Sequence, residues 1–194
     1  MKKLLSFGVV LFLMLAPVAA SAFPADIEGL CFSPNGGCAR MIISAIDNAQ
    51  SEILVMAYSF TNQKIADALL RAKKRGVDVR VIQDRGEAMK HWSKAPYLVR
   101  ANIPVYLDTE AGIYHDKVLV ADRTLVETGS YNFSYAASRK NAENAMLIRS
   151  NKLADYYVQN WLQHAQNDPL MSASAASGYH RKSSVTGLFR SLMR

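Results

Sequence analysis

Apolar residues along this chain alternate between two rhythms. Glu52–Tyr58 (EILVMAY) and Val77–Ile82 are compact apolar runs that predict buried strands, and Gly29–Phe32 and Pro104–Leu107 are shorter strand segments. Between them, Met41, Ile42, Ala45, Ile46 and Ala49 recur at helical spacing, predicting a helix near Cys38–Gln50. A second helix opens at Thr61 or Asn62, which can cap it, and presents Ile65, Leu69 and Ala72 inward. It closes on Lys73, Lys74, Arg75 and Gly76, a basic last turn with a glycine stop. Helical pattern resumes between Ala88 and Ala101, with Pro96 suited to a first turn. Then Tyr114–Ala121 and Thr124–Thr128 read as two strands joined tightly through Asp122-Arg123. A short helix near Ser134–Ser138, a strand over Asn144–Arg149 and an amphipathic helix over Leu153–Ala165 complete the body. Strands alternating with helices in this way predict an α/β fold, a layered mixed β-sheet flanked by helices.

The two ends differ from the body. Lys2 and Lys3 precede an apolar run from Leu4 to Ala16, Pro17 breaks it, and Ala20-Ser21-Ala22 supplies small residues for a peptidase. That is the pattern of a secretory signal peptide over 1–22, with cleavage after Ala22 and a periplasmic or secreted product. A single domain is expected over 23–169 and a basic, mobile tail over 170–194, rich in Ser, Ala and Gly. The formal net charge is +7, but six of those charges sit in the leader (Lys2, Lys3) and the tail (Arg181, Lys182, Arg190, Arg194). The body is therefore close to neutral, and the high pI does not by itself describe a basic nucleic-acid face. Cys31 and Cys38 flank a loop-forming segment, and an oxidising compartment favours a disulfide between them. Two cysteines with no histidine nearby make a poor metal site.

The chemistry concentrates in one stretch. His115, Lys117 and Asp122, followed by Gly129, Ser130 and Asn132, read H-x-K-x4-D-x6-G-S-x-N, and this pattern occurs once. In extended chain, residues two apart share a face, so His115 pairs with Lys117 and Ser130 with Asn132. Hairpin pairing returns Gly129–Asn132 beside His115, with Gly129 allowing close backbone approach to a ligand. Singly, a strand histidine is usually a satisfied core residue and a lysine is usually solvated. Six fixed positions together arise by chance on the order of once in 10^5 to 10^6 chains. The set suits a phosphate ester. Lys117 neutralises a non-bridging oxygen, Ser130 and Asn132 donate to others, and His115 serves as nucleophile or acid. One histidine cannot be both at once.

These residues resemble the signature of the phospholipase D superfamily. The body is similar to its small exported bacterial members, the Nuc-type endonucleases, through SPNGG, SAIDNAQSEILVMAYSFT, ADALLRAKKRGVDVRVIQD, HDKVLVAD, VETGSYNFS and KNAEN. The resemblance implies that His115 is nucleophile in one subunit and general acid in the other. It implies phosphate binding by Lys117, Ser130 and Asn132, a structural role for Asp122, and a histidine-orienting role for Glu143. It further implies a homodimer with a shared site and no metal or other cofactor; no carboxylate or histidine cluster accompanies the motif in sequence. The expected activity is phosphodiester hydrolysis, foremost of DNA and secondarily of RNA. A phospholipase D-type phosphatidylcholine hydrolase or transphosphatidylase is the alternative, and a non-catalytic nucleic-acid or envelope-binding module is a third. The cluster Arg71, Lys73, Lys74, Arg75 reads equally as a backbone-binding patch or an ordinary helix end.

Overall fold

A computed structural model describes residues 24–176; the expected leader and the distal part of the tail lie outside them. The strands are β1 (Asp26–Ser33), β2 (Glu52–Ala57), β3 (Asp78–Asp84), β4 (Val105–Asp108), β5 (Lys117–Ala121), β6 (Leu125–Gly129) and β7 (Glu143–Arg149). They form one seven-stranded sheet in the order β1-β7-β6-β5-β2-β3-β4. β2, β3 and β4 run parallel, while the remaining pairs are antiparallel, which is the mixed sheet expected. Helices are α1 (Cys38–Asn48), α2 (Gln63–Lys74), α3 (Arg85–Ala88), α4 (Ala95–Arg100), α5 (Tyr135–Arg139) and α6 (Asn151–Asn167). Among the described residues no helix is long and apolar enough to cross a membrane.

Alternation along β2 builds two cores. Ile53, Val55 and Ala57 point into a cluster with Ile42 and Ile46 of α1 and Ile65 and Leu69 of α2. Leu54 and Met56 point the other way, against Ala154, Val158 and Trp161 of α6. The Trp161 indole N–H donates to the Val55 carbonyl at 3.2 Å, and the Arg80 guanidinium lies 5.0 Å from its ring centroid. Asn62 is the cap of α2, its Oδ1 accepting from Lys64 N at 3.0 Å and Ile65 N at 3.4 Å. Gly76, at φ 93°, ends that helix as its position after a basic turn implied. The Cys31–Cys38 disulfide is present, with Cα atoms 5.3 Å apart, joining the end of β1 to the start of α1.

Several boundaries differ from expectation for identifiable reasons. The helix expected from Ala88 starts only at Ala95, because Pro96 has no N–H and can sit only in a first turn, where Ser93 Oγ accepts from Ala95 N at 3.1 Å. Arg85–Ala88 makes a short helix of its own, capped by Asp84, whose Oδ1 accepts from Glu87 N at 2.8 Å. β5 begins at Lys117 rather than Tyr114, since the Tyr114 N–H is drawn to Asp84 Oδ2 at 3.2 Å. Chain packing also runs past Pro169. Met171 is buried, its N–H donates to the Val105 carbonyl at 2.8 Å, and Leu170 bridges to Tyr106.

The hairpin turn is one residue longer than its sequence implied, Asp122–Thr124 separating β5 from β6; Asp122 and Arg123 have φ 53° and 54°, the left-handed pair that matches strand twist. Asp122 also ties this turn to the start of β2. Its carboxylate accepts from Gln50 N (2.9 Å), Ser51 N (2.7 Å), Ser51 Oγ (2.8 Å) and Glu52 N (3.1 Å). Burial works against the charge, but these N–H and O–H donors hold the Asp122 carboxyl below its ordinary range. Asp122→Ala should therefore cost about 2–3 kcal/mol of stability in urea unfolding, with turnover per folded molecule retained. The wild-type share of that stability is present above the ordinary aspartate pKa and is lost as pH falls through the lowered one.

Glu127 presents the opposite case. It is fully buried between Leu119 and Leu147 on neighbouring strands, and neither carboxyl oxygen has a hydrogen-bond partner. Burial pushes this carboxyl well above its usual range. The folded state thus holds a proton the unfolded chain releases, so stability falls as pH rises above the ordinary glutamate pKa. Glu127→Met, similar in volume, should stabilise the fold by about 1–3 kcal/mol, with a larger gain at pH 8 than at pH 5.

Candidate active site

Strand register gathers the motif at one end of the sheet. Ala57 pairs with Lys117, Val118 with Thr128, and Gly129 with Ala145. Lys117 therefore lies level with Gly129, and the segments carrying His115, Ser130–Asn132 and Glu143 emerge from three adjacent strand ends. The ladder continues one residue beyond β2, where Tyr58 N donates to the Asp116 carbonyl at 2.9 Å. That contact keeps His115-Asp116-Lys117 extended although the first two precede β5. The Tyr58 ring then meets both functional side chains. Its centroid is 4.8 Å from that of the His115 imidazole and 5.1 Å from Lys117 Nζ.

His115 is exposed, whereas Lys117 is only 7% exposed. Lys117 Nζ donates to the His115 carbonyl. Burial lowers the Lys117 pKa, and the charges of Asp116 and Glu143 oppose that shift. The lysine is thus a poorly hydrated cation. Ser130 is anchored by its backbone, Ser130 N and Tyr131 N both donating to the Asn144 carbonyl at 3.1 Å, while Ser130 Oγ accepts from Asn144 N at 3.1 Å. The Ser130 hydroxyl hydrogen remains available to a ligand. Asn132 Oδ1 is buried with no partner.

The structure adds detail at three of the expected positions. A Cβ on Gly129 would lie 2.3 Å from the Asn144 carbonyl oxygen, so glycine is required there by the close approach of β7 rather than by a ligand. Glu143 Oε1 accepts from Asn141 Nδ2 at 3.0 Å, and no hydrogen bond joins it to His115 within the chain. Asp122 sits at the far end of β5 from Lys117, bonded only to Gln50–Glu52. The two readings of Arg71–Arg75 also separate: Arg71 pairs with Asp47 at 2.8 Å and Arg75 donates to the Ile46 and Ala49 carbonyls, as structural helix-end contacts.

Residues 42–165 match the family model described as cardiolipin synthase, PLD-like domain. The chain belongs to the phospholipase D superfamily. A Rickettsia felis protein named phospholipase D is 44% identical over 132 residues, 68% of this chain and 66% of that protein, so the match spans just under two thirds of the relative's length. Nuc, a phospholipase D family member from Salmonella typhimurium, superposes with a TM-score of 0.73 at 38% identity, covering 76% of this chain and 99% of that one. NucT from Helicobacter pylori has a TM-score of 0.67 at 22% identity over 76% of this chain and 100% of its own, a likeness of fold.

Around this site the structure adds residues the sequence pattern did not single out. Tyr58 is one, since only the pairing of β5 with β2 shows what it touches. An open cleft of ≈ 380 Å³ beside it is lined by Asp84, Arg85, Lys90, Asp108 and Ile113. The larger cleft, ≈ 400 Å³, includes Ser33, Arg40, Lys64, Tyr135 and Arg139 but neither His115 nor Lys117. It adjoins the site through Ser33, whose Oγ accepts from Glu143 N at 3.2 Å. The sequence showed no ionisable cluster accompanying the motif; the fold makes one, bringing Asp108, His164 and Asp168 together from β4 and the end of α6. Burial pushes the Asp168 carboxyl up, the Thr109 N–H draws it back, and Asp108 pushes it up further. Burial likewise pushes the neighbouring Tyr114 hydroxyl far up, with the charges of Asp116, Asp108 and Asp168 adding to it.

Proposed function

We propose that this protein is a metal-independent phosphodiester hydrolase, an exported endonuclease acting on DNA and also RNA, whose catalytic unit is a homodimer. The observation that carries the reading is the convergence of His115, Lys117, Ser130 and Asn132 at one sheet end, with one such set per chain. A ring nitrogen of His115 attacks phosphorus and forms a P–N bond as the bond to the leaving oxygen breaks. That oxygen takes its proton from the imidazolium of His115 in the second copy. The second imidazole, now neutral, removes a proton from water, whose oxygen attacks phosphorus and releases the first histidine. Lys117, Ser130 and Asn132 stabilise the negative charge on the equatorial oxygens at both steps. Glu143, unbonded to its own His115, is available to orient a histidine presented by the second copy.

Nucleic acid is favoured as substrate by the 38% identity with Nuc over nearly its full length and by three cations in the adjoining cleft. Arg40, Lys64 and Arg139 make no ion pair among the described residues and can follow a phosphate backbone beyond the scissile bond. Phospholipid is the second reading. It draws on the Rickettsia relatives named phospholipase D and on Met89, Trp92 and Ile113, exposed apolar side chains on the segments bordering the 380 Å³ cleft. A side-by-side assay decides between them. Purified protein in EDTA should degrade plasmid DNA and leave phosphatidylcholine vesicles intact, with His115→Ala inactive on both. Strict dependence on added Mg²⁺ would contradict the phosphohistidine route, and faster release of choline than of nucleotides would make the lipid the substrate.

A further inference from the structure

We infer that Asp108, His164 and Asp168 form a binding site for a first-row divalent cation, Zn²⁺ foremost, which braces the loop leading into His115. His164 Nδ1 lies 3.0 Å from Asp108 Oδ2, and one ligand atom from each of the three residues falls within 4.8 Å of the others. Both carboxylates are buried, Asp108 at 4% and Asp168 at 6% exposure. Their second oxygens are used by the loop itself: Asp108 Oδ1 accepts from Ala111 N and Asp168 Oδ1 from Thr109 N, each at 3.1 Å. No lysine or arginine among the described residues pairs with either acid.

Two further atoms point to a missing partner. Asp168 Oδ2 is buried without a hydrogen bond. Ionised, it is an acceptor with no donor; protonated, it is a donor with no acceptor. A protonated His164 meets only Asp108 and leaves this oxygen as it was. The Tyr114 hydroxyl is also buried and unpartnered, on a ring packed edge-on against His164 with centroids 5.0 Å apart. A cation bound between the three residues satisfies the orphaned carboxylate oxygen and offsets two buried negative charges at once. The separation of 3.0 Å is close to the roughly 3.3 Å between two ligands of a tetrahedral Zn²⁺. An imidazole nitrogen with carboxylates selects a borderline metal such as Zn²⁺ over Mg²⁺ and Ca²⁺, which take all-oxygen shells. The 380 Å³ cleft, which Asp108, Thr109 and Ala111 help to line, gives the ion a path from solvent.

The proposed ion holds structure and takes no part in the reaction. It joins the end of α6 to both anchors of the exposed segment 109–113, immediately before Tyr114 and His115. It goes beyond the phosphodiesterase reading and does not depend on it. Full-length protein stripped with EDTA and dialysed would be titrated with ZnCl₂ by calorimetry and followed by thermal unfolding. One Zn²⁺ per chain, a raised Tm and slower proteolysis within 109–113 are expected. Asp168→Asn and His164→Gln should each weaken the Kd at least about tenfold, the smallest loss expected of a group that supports a bound metal. His115→Ala should bind as the wild type does. The inference is overturned if the wild type binds no stoichiometric Zn²⁺, if both variants bind unchanged, or if only His115→Ala loses binding, which puts the ion at the catalytic histidine. Should Asp168→Asn fail to fold, His164→Gln decides, because that side chain is partly solvent-facing.

Discussion

Substitution of His115 by alanine is expected to lower DNA hydrolysis at least about 10⁴-fold, while the thermal unfolding curve stays within error of the wild type. The loss is large because the proposed mechanism gives the same side chain both chemical roles, nucleophile and proton donor, in a site shared by two copies. The fold is spared because His115 is exposed and its ring packs against Tyr58, with centroids 4.8 Å apart. Mixing supplies a sharper measurement. When wild-type and His115→Ala chains are refolded together in equal amounts, random pairing leaves about a quarter of the dimers with two histidines. Specific activity per wild-type chain should then fall to about half that of the undiluted enzyme, since wild-type chains paired with variant chains are silent. Activity per wild-type chain that does not change on mixing would mean that each chain works alone, and a second proton donor within one chain would have to be found.

The candidate catalytic set was legible from sequence because its members lie on, or just beyond, two neighbouring strands joined by a three-residue turn. His115, Lys117, Ser130 and Asn132 converge through a hairpin whose register is set locally by Asp122-Arg123. The buried runs of β2 and β3 and the cap and stop of α2 were legible for the same reason, each resting on its own residues. What escaped depends on contacts between distant segments. Tyr58 reaches His115 only because β5 lies beside β2, a pairing that no local pattern encodes. The Asp108–His164 contact joins residues 56 apart in the chain, where each alone reads as an ordinary polar position. Nothing local marks Glu127, and only the layers on both faces of β6 show that it is buried without a partner. The role of Gly129 was misattributed for a related reason: a motif shows that a glycine is present, but the neighbour that excludes a Cβ belongs to β7.

Lys117→Met is expected to lower kcat/KM on DNA about 10²- to 10³-fold, the cost of removing one group that stabilises transition-state charge. Methionine keeps most of the aliphatic stem, so packing against Tyr58 survives and the loss reports charge. Arginine should rescue poorly, because a planar guanidinium is larger than the ammonium it replaces in a position only 7% exposed. The pH dependence follows from the direction of the shift. Burial lowers the lysine pKa below its usual 10.5, so the wild-type enzyme should lose activity on the alkaline side at a pH where a surface lysine is still charged. Stability should move the other way. Between the lowered folded pKa and the ordinary unfolded one, the unfolded chain binds more protons, and the fold gains stability as pH rises. Lys117→Met lacks this slope and should be no less stable than the wild type at neutral pH, since it no longer buries a charge. Opposite alkaline trends in activity and stability, both abolished by Lys117→Met, would separate a phosphate-binding lysine from one that merely supports the fold. If activity and stability instead decline together in that variant, Lys117 acts through packing, and the cation for the phosphate must come from elsewhere in the site.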